Sequence, residues 1–144
     1  MFEFVTDTAT MCIYDLAALK HRRFDTADWW SIRAEEISEV NQGNAAFINL
    51  GRDGTFVVVI ESDMDSTEWL KCKLNVPSGN VFVGAAEEVT SAGLEPECIR
   101  GGKWLQVAPG AYVLSIGRID DRIYLDLKRF DGLSVNSLSA PLRI

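Results

Sequence analysis

The side chains best suited to chemistry are concentrated in one segment, His21-Arg22-Arg23-Phe24-Asp25-Thr26-Ala27-Asp28-Trp29-Trp30. It contains the only histidine and two of the four tryptophans. An imidazole within reach of a carboxylate can do general acid–base work. His21 with Asp25 or Asp28 is therefore one candidate site. Such a site also needs a nucleophile in matched geometry, and no Gly-x-Ser-x-Gly elbow is present. The same residues suit a structural corner, in which Asp25 and Asp28 pair with Arg22 and Arg23 or bond turn amides. Adjacent Trp29 and Trp30 should point to different sides, one into the core and one outward as an interface anchor. A small β-scaffold enzyme, a ligand-binding module and a structural corner all remain open at this segment.

Two groups of acids form the second candidate. Glu61, Asp63 and Asp65 alternate along the chain and Glu68 follows. Oxygen ligands at such spacing resemble a calcium loop, but the glycine and the frame of an EF-hand are missing. Glu87, Glu88, Glu95 and Glu97 form the other group. If both groups lie at one end of the fold, they make an anionic rim that mimics phosphates and fits the cationic groove of a nucleic-acid enzyme. Each exposed charge contributes only ~0.2–1 kcal/mol. The summed field steers association more strongly than that figure implies. Partner binding is accordingly assigned to these eight acids with Trp29 or Trp30 as anchor.

Other chemistries find no support. Gly51-Arg52-Asp53-Gly54 and Gly101-Gly102-Lys103 do not match a phosphate loop. The three cysteines, Cys12, Cys72 and Cys98, are far apart, and one histidine cannot complete a zinc site with them. No catalytic residue, cofactor or metal is expected, and the thiols read as free and buried in a reducing cytoplasm.

A chain of 144 residues with 47% hydrophobic and 24% charged residues reads as one globular domain spanning 1–144. The net charge is −7. Residues 1–50 carry eight acids and four bases, residues 51–100 nine and four, and residues 101–144 four and six. That balance disfavours direct nucleic-acid binding and favours a basic protein partner, with a homodimer compatible. No apolar run is long enough for a membrane span. The acidic N-terminus does not read as a secretory signal, so a cytoplasmic location is expected.

The elements that must position these residues are mostly strands. Phe2–Thr6 and Thr10–Leu16 flank an Asp7-Thr8-Ala9 turn, and Leu16–Arg23 reads as a short helical turn. The main helical segment follows Asp28, with Ser31 as candidate N-cap, Ile32, Ile37 and Val40 as its apolar face, and Gly43 past its end. Ala45–Leu50 and Thr55–Glu61 flank Gly51–Gly54, a hairpin signal. Phe56–Ile60 is apolar on both faces and should be central. Trp69–Val76, Val81–Ala85, Lys103–Val107, Ala111–Ile119 and Arg122–Phe130 complete the set. The prediction is all-β: an antiparallel β-sandwich of about 8–10 strands with one short helix near residues 31–41.

Two resemblances accompany this reading. Val5-Thr6-Asp7-Thr8-Ala9-Thr10, Tyr14-Asp15-Leu16, Lys20-His21-Arg22 and Asp28-Trp29-Trp30-Ser31 resemble an uncharacterised bacterial family over the first third of the chain. Ala46-Phe47-Ile48, Lys73–Pro77, Leu105–Leu114 and Ile123-Tyr124-Leu125 resemble the β-sandwich inhibitors of the competence-associated DNA-entry nuclease. The second resemblance spans about residues 45–126 and implies an acidic inhibitor or immunity protein that blocks a basic nuclease or toxin.

Overall fold

Burial alternates along the first half of Arg122–Phe130. Ile123 and Leu125 are buried, while Tyr124 and Asp126 are half-buried on the opposite face. The computed structural model describes residues 1–62, 69–90 and 94–144. Its ten strands among these residues are β1 (Phe2–Thr6), β2 (Thr10–Tyr14), β3 (Ala45–Asn49), β4 (Gly54–Ile60), β5 (Leu70–Val76), β6 (Asn80–Ala85), β7 (Lys103–Gln106), β8 (Gly110–Ile119), β9 (Arg122–Phe130) and β10 (Leu142–Arg143). They form two five-stranded sheets, in the orders β1-β4-β9-β8-β5 and β10-β3-β2-β6-β7. The all-β sandwich expected from the sequence is what forms. Two of its pairings, β4 with β9 and β3 with β10, are parallel rather than antiparallel.

The hairpin expected at Gly51–Gly54 does not form, and the strands flanking Asp7–Ala9 do not pair with each other either. β1 and β2 belong to different sheets, as do β3 and β4. The turns at 7–9 and 50–53 are arches that carry the chain from one layer to the other. They run side by side, and the Leu50 N–H donates to the Ala9 carbonyl at 2.7 Å. Glycines at φ 77° (Gly51) and 129° (Gly54) permit the reversal. A turn signal records a change of direction, not which sheet receives the next strand. β4 does lie inside its sheet, between β1 and β9.

The second sheet is buried on both faces along β2, β3 and β6. One face meets the first sheet. The other, carrying Cys12, Tyr14, Phe47 and Phe82, is covered by the segments between strands. Trp30 stacks on Phe47 at 6.0 Å between ring centroids and Trp29 meets it edge-on at 5.7 Å. Tyr14 Oη donates to the Leu94 carbonyl at 2.7 Å.

The helix, α1, spans Arg33–Asn41. Ser31 does not cap it. Ser31 ends a 3-10 turn and donates its hydroxyl to the Asp28 carbonyl at 2.7 Å, while Ile32 flanks the helix in extended conformation and is exposed. Glu39 and Val40 are the buried helix residues, with Ile37 only half-buried. Cys12 and Cys72 are buried as expected, but Cys98 is exposed, because it lies on a surface segment that leaves the second sheet. No helix among the described residues is long and apolar enough to cross a membrane.

Candidate functional site

The arch at Asp7–Ala9 and the turn Ala86–Thr90 meet at one end of the sandwich. Glu87 ties them together. Its carboxylate accepts from Thr6 Oγ1 at 2.8 Å, from the Asp7 N–H at 2.8 Å and from Thr8 Oγ1. Its neighbour Glu88 points the other way, into the protein, and is 4% exposed. There it accepts the backbone N–H groups of Glu97 at 2.8 Å, Cys98 at 3.1 Å and Arg100 at 3.0 Å. Three amide donors compensate a carboxylate for lost water. They also fix residues 97–100, where Cys98 holds a positive φ of 57°.

Arg100 then returns over this end. Its Nη1 donates to Asp7 Oδ2 at 2.5 Å and lies 3.3 Å from Glu87 Oε2. The Asp7 bond, followed by the charges of Asp7, Glu87 and Glu88, raises the Arg100 pKa, so the guanidinium stays charged. Glu87, Glu88, Glu97 and Arg100 line one shallow depression of about 300 Å³. Asp7 and Glu87 thus flank the guanidinium, Glu88 holds the Arg100 backbone beneath it, Glu97 shares the depression, and Glu95 lies exposed two residues before Glu97. The end of the sandwich is anionic and rigidly held.

Glu61, the described member of the first acid group, does not share that end. Thr6 pairs with Gly54 at the start of β4, whereas Glu61 follows its last residue, Ile60. Seven strand residues separate the two positions by roughly 20 Å. Glu61 is exposed, and its N–H donates to the Leu125 carbonyl at 3.0 Å. Asp63, Asp65 and Glu68 lie outside the described residues.

The His21–Trp30 segment is built as a corner. Buried Glu39 accepts from His21 Nε2 at 2.7 Å, Arg22 Nε at 2.7 Å and Asn44 Nδ2 at 2.8 Å. Burial opposes its charge, but the hydrogen bonds from Arg22, Asn44 and His21 outweigh it and hold the carboxyl below its ordinary value. Arg22 also donates to Asp25 at 3.0 Å and Glu35 at 2.5 Å, and its guanidinium lies 4.7 Å from the Trp29 ring centroid. His21 therefore meets Glu39, while Asp25 meets Arg22 and Asp28 stays exposed outside the network. The expectation of one exposed tryptophan is overturned: Trp29 and Trp30 are 2% and 5% exposed. Both pack on Phe47, because two consecutive residues in a 3-10 turn can reach the same sheet face.

Sequence reading missed a groove on the covered face of the second sheet. Asp15, Leu16, Ala17, Lys20, Ser78 and Trp104 line most of its 440 Å³. The clue was Trp104, a large aromatic exposed on a strand in which only Leu105 is half-buried.

Solved structures share the architecture. The chain resembles a protein described as crocagin biosynthetic gene J, with TM-score 0.56 and 12% identity over 90% of this chain and 97% of that one. It also resembles ComJ from Bacillus subtilis, an inhibitor of the DNA-degrading activity of NucA, with TM-score 0.51 and 11% identity over 89% and 93%. These likenesses are of fold. No curated protein matches the chain by sequence. A family model does match it from residue 1 to 144, and the chain belongs to that family, DUF6386, a family of unknown function.

Proposed function

We propose that this chain is a non-enzymatic inhibitor or immunity protein that binds a basic protein, a nuclease or a toxin. The observation that carries this reading is the anionic end: Asp7 and Glu87 flanking the Arg100 guanidinium, Glu88 beneath it, and Glu97 and Glu95 beside them. Glu88 holds the segment in place through three backbone amides. A partner therefore meets charges already fixed in position, which lowers the ordering cost of binding. The net charge of −7 extends the attraction beyond contact. The fold shared with ComJ, described as a nuclease inhibitor, supports the same reading.

The bound surface is the exposed part of this end. Glu95 and Glu97 face solvent and supply the charges that meet a cationic groove. Glu87 and Glu88 serve as its frame. Trp29 and Trp30, being buried, take no direct part.

The test is inhibition of DNA cleavage. The chain is titrated against each basic nuclease of its host, and cleavage and association rate are followed. Stoichiometric loss of cleavage by one of them, with slower and less salt-sensitive association for the Glu95→Lys/Glu97→Lys double variant, supports the reading. Undiminished cleavage by every one of them overturns it.

A further inference from the structure

We propose that the free edge of β7 and the groove beside it bind an extended segment of a partner protein as an added strand, with an apolar side chain seated against Trp104 and an acidic one at Lys20. This surface is separate from the anionic end. Tyr14 pairs with Phe82 and Met11 with Ala85, so the Asn80–Gln106 side of the sheet lies far from the arches.

Backbone geometry defines the edge. β7 is the last strand of its sheet and pairs only with β6. The Val107 N–H donates to the Gly79 carbonyl at 2.8 Å. In an antiparallel ladder hydrogen-bonded pairs alternate. Leu105 and Lys103 therefore bond inward to Val81 and Val83, and the amides of Trp104 and Gln106 face away from β6. Among the described residues no backbone group pairs with them. Such an edge is a template for another strand.

Side chains add selectivity. Trp104 and Gln106 sit on the face of Phe82 and Asn80, and both line the groove. Trp104 packs edge-on against Phe82 at 5.5 Å and leaves 37% of its surface exposed. Leu16 and Ala17 form the opposite apolar wall. A strand added at Trp104 and Gln106 places alternate side chains over this groove.

Charge selects the class of partner. Asp15 offers nothing to a cation. It is buried, and its two oxygens accept from the Ala17 N–H at 3.0 Å, the Ser78 N–H at 2.7 Å and the Ser78 hydroxyl at 2.7 Å. Lys20 is exposed on the rim, and Lys103 is exposed on the edge itself. Neither is in an ion pair among the described residues. At physiological salt the nearest charges weigh most on a seated segment, so Lys20 and Lys103 set its preference for acids, while the net charge acts on the approach. A second copy of the chain fits less well, because it brings another lysine-bearing edge and another net charge of −7.

Phage-displayed peptides of about eight residues, random in sequence, test the proposal when panned on the purified chain. Enriched peptides should carry an apolar and an acidic residue two positions apart, on the one face that meets the groove. On binding, the Trp104 and Gln106 amides should become protected from hydrogen exchange. Gln106→Pro removes one outward N–H and blocks the incoming strand without touching the ladder to β6, and should weaken binding about tenfold. Lys20→Glu, a surface change that leaves the edge intact, should weaken the acidic peptides severalfold. Equal binding to both variants overturns the proposal, as does enrichment of basic peptides or none. Self-association lost in Gln106→Pro also overturns it, by assigning the edge to a second copy. Nuclease inhibition can fail while this edge binds, and the reverse, so the two readings are separable.

Discussion

The Glu88 carboxylate accepts the Arg100 backbone N–H at 3.0 Å, twelve residues along the chain, from a position 4% exposed. This contact joins the interior to the anionic surface, because the side chain of the same Arg100 reaches out to Asp7. Glu88→Ala leaves three amides without their acceptor and should destabilise the fold by about 2–3 kcal/mol. Glu88→Gln, which keeps an acceptor oxygen, should cost less. Urea unfolding gives the magnitudes. Faster hydrogen exchange at Glu97, Cys98 and Arg100, with β8 and β9 unchanged, locates the effect.

Cys98 makes the same region chemically addressable. It is the exposed thiol, whereas Cys12 and Cys72 are buried. Burial pushes the Cys72 pKa up to about 12. Burial, and then the charges of Glu88 and Glu87, raise that of Cys12 as well. A maleimide should therefore label one thiol in the native chain and three after unfolding. Labelling of two or three native thiols, read by mass spectrometry, would contradict the placement of Cys12 and Cys72.

What could be read from sequence follows from how far each property reaches along the chain. The alternation of Ile123 and Leu125 with Tyr124 and Asp126 is a local pattern and forms the strand it announces. Gly51–Gly54 announces a reversal, but whether β4 pairs with β3 is decided by β1 and β9, which compete for its edges. Nothing local to Glu39 signals burial. It is buried because Arg22 and His21, seventeen and eighteen residues away, converge on it. Glu87 and Glu88 are equal in sequence and opposite in role, since one turn directs them to different sides. The acidic character of the candidate site was legible. Its division into frame and surface was not, because that depends on partners from β1 and residues 97–100.

Asn136 closes the open side of the sandwich beside β5. Its Oδ1 accepts the Lys73 N–H at 2.8 Å, and its Nδ2 donates to the carbonyls of Lys73 at 2.9 Å and Val40 at 2.7 Å. One side chain thereby stands in for a neighbouring strand and ties it to the helix. Asn136→Ala should destabilise by about 2 kcal/mol, the net worth of a few such bonds. Hydrogen exchange at Lys73 should rise with it. A loss within error, with Lys73 still protected, would mean that β10 and the bonds of Asn41 to Asn136 and Leu138 hold the C-terminal segment without it.

Acid should weaken the His21–Glu39 corner. Glu39 has its pKa held below the ordinary 4.5 against the opposing effect of burial. A carboxyl depressed on folding contributes stability that is fully present above its unfolded pKa and lost as pH falls through its folded value. Subtracting Glu39→Gln from the parent should therefore give a difference that is constant above pH 4.5 and shrinks below it. Arg22→Ala removes the strongest hydrogen-bond donor to Glu39 and should cost about 3 kcal/mol near neutral pH, because it strands a buried charge. It should also move the acid transition to higher pH, since Glu39 then protonates more readily. Glu36 provides the opposite control: burial raises its pKa, so its neutral form is favoured on folding and its contribution declines as pH rises. Urea midpoints of the parent, Glu39→Gln, Arg22→Ala and a Glu36→Gln control across the acid range decide the matter. A Glu39→Gln difference that stays flat through that range would show that the corner holds no ionised carboxylate.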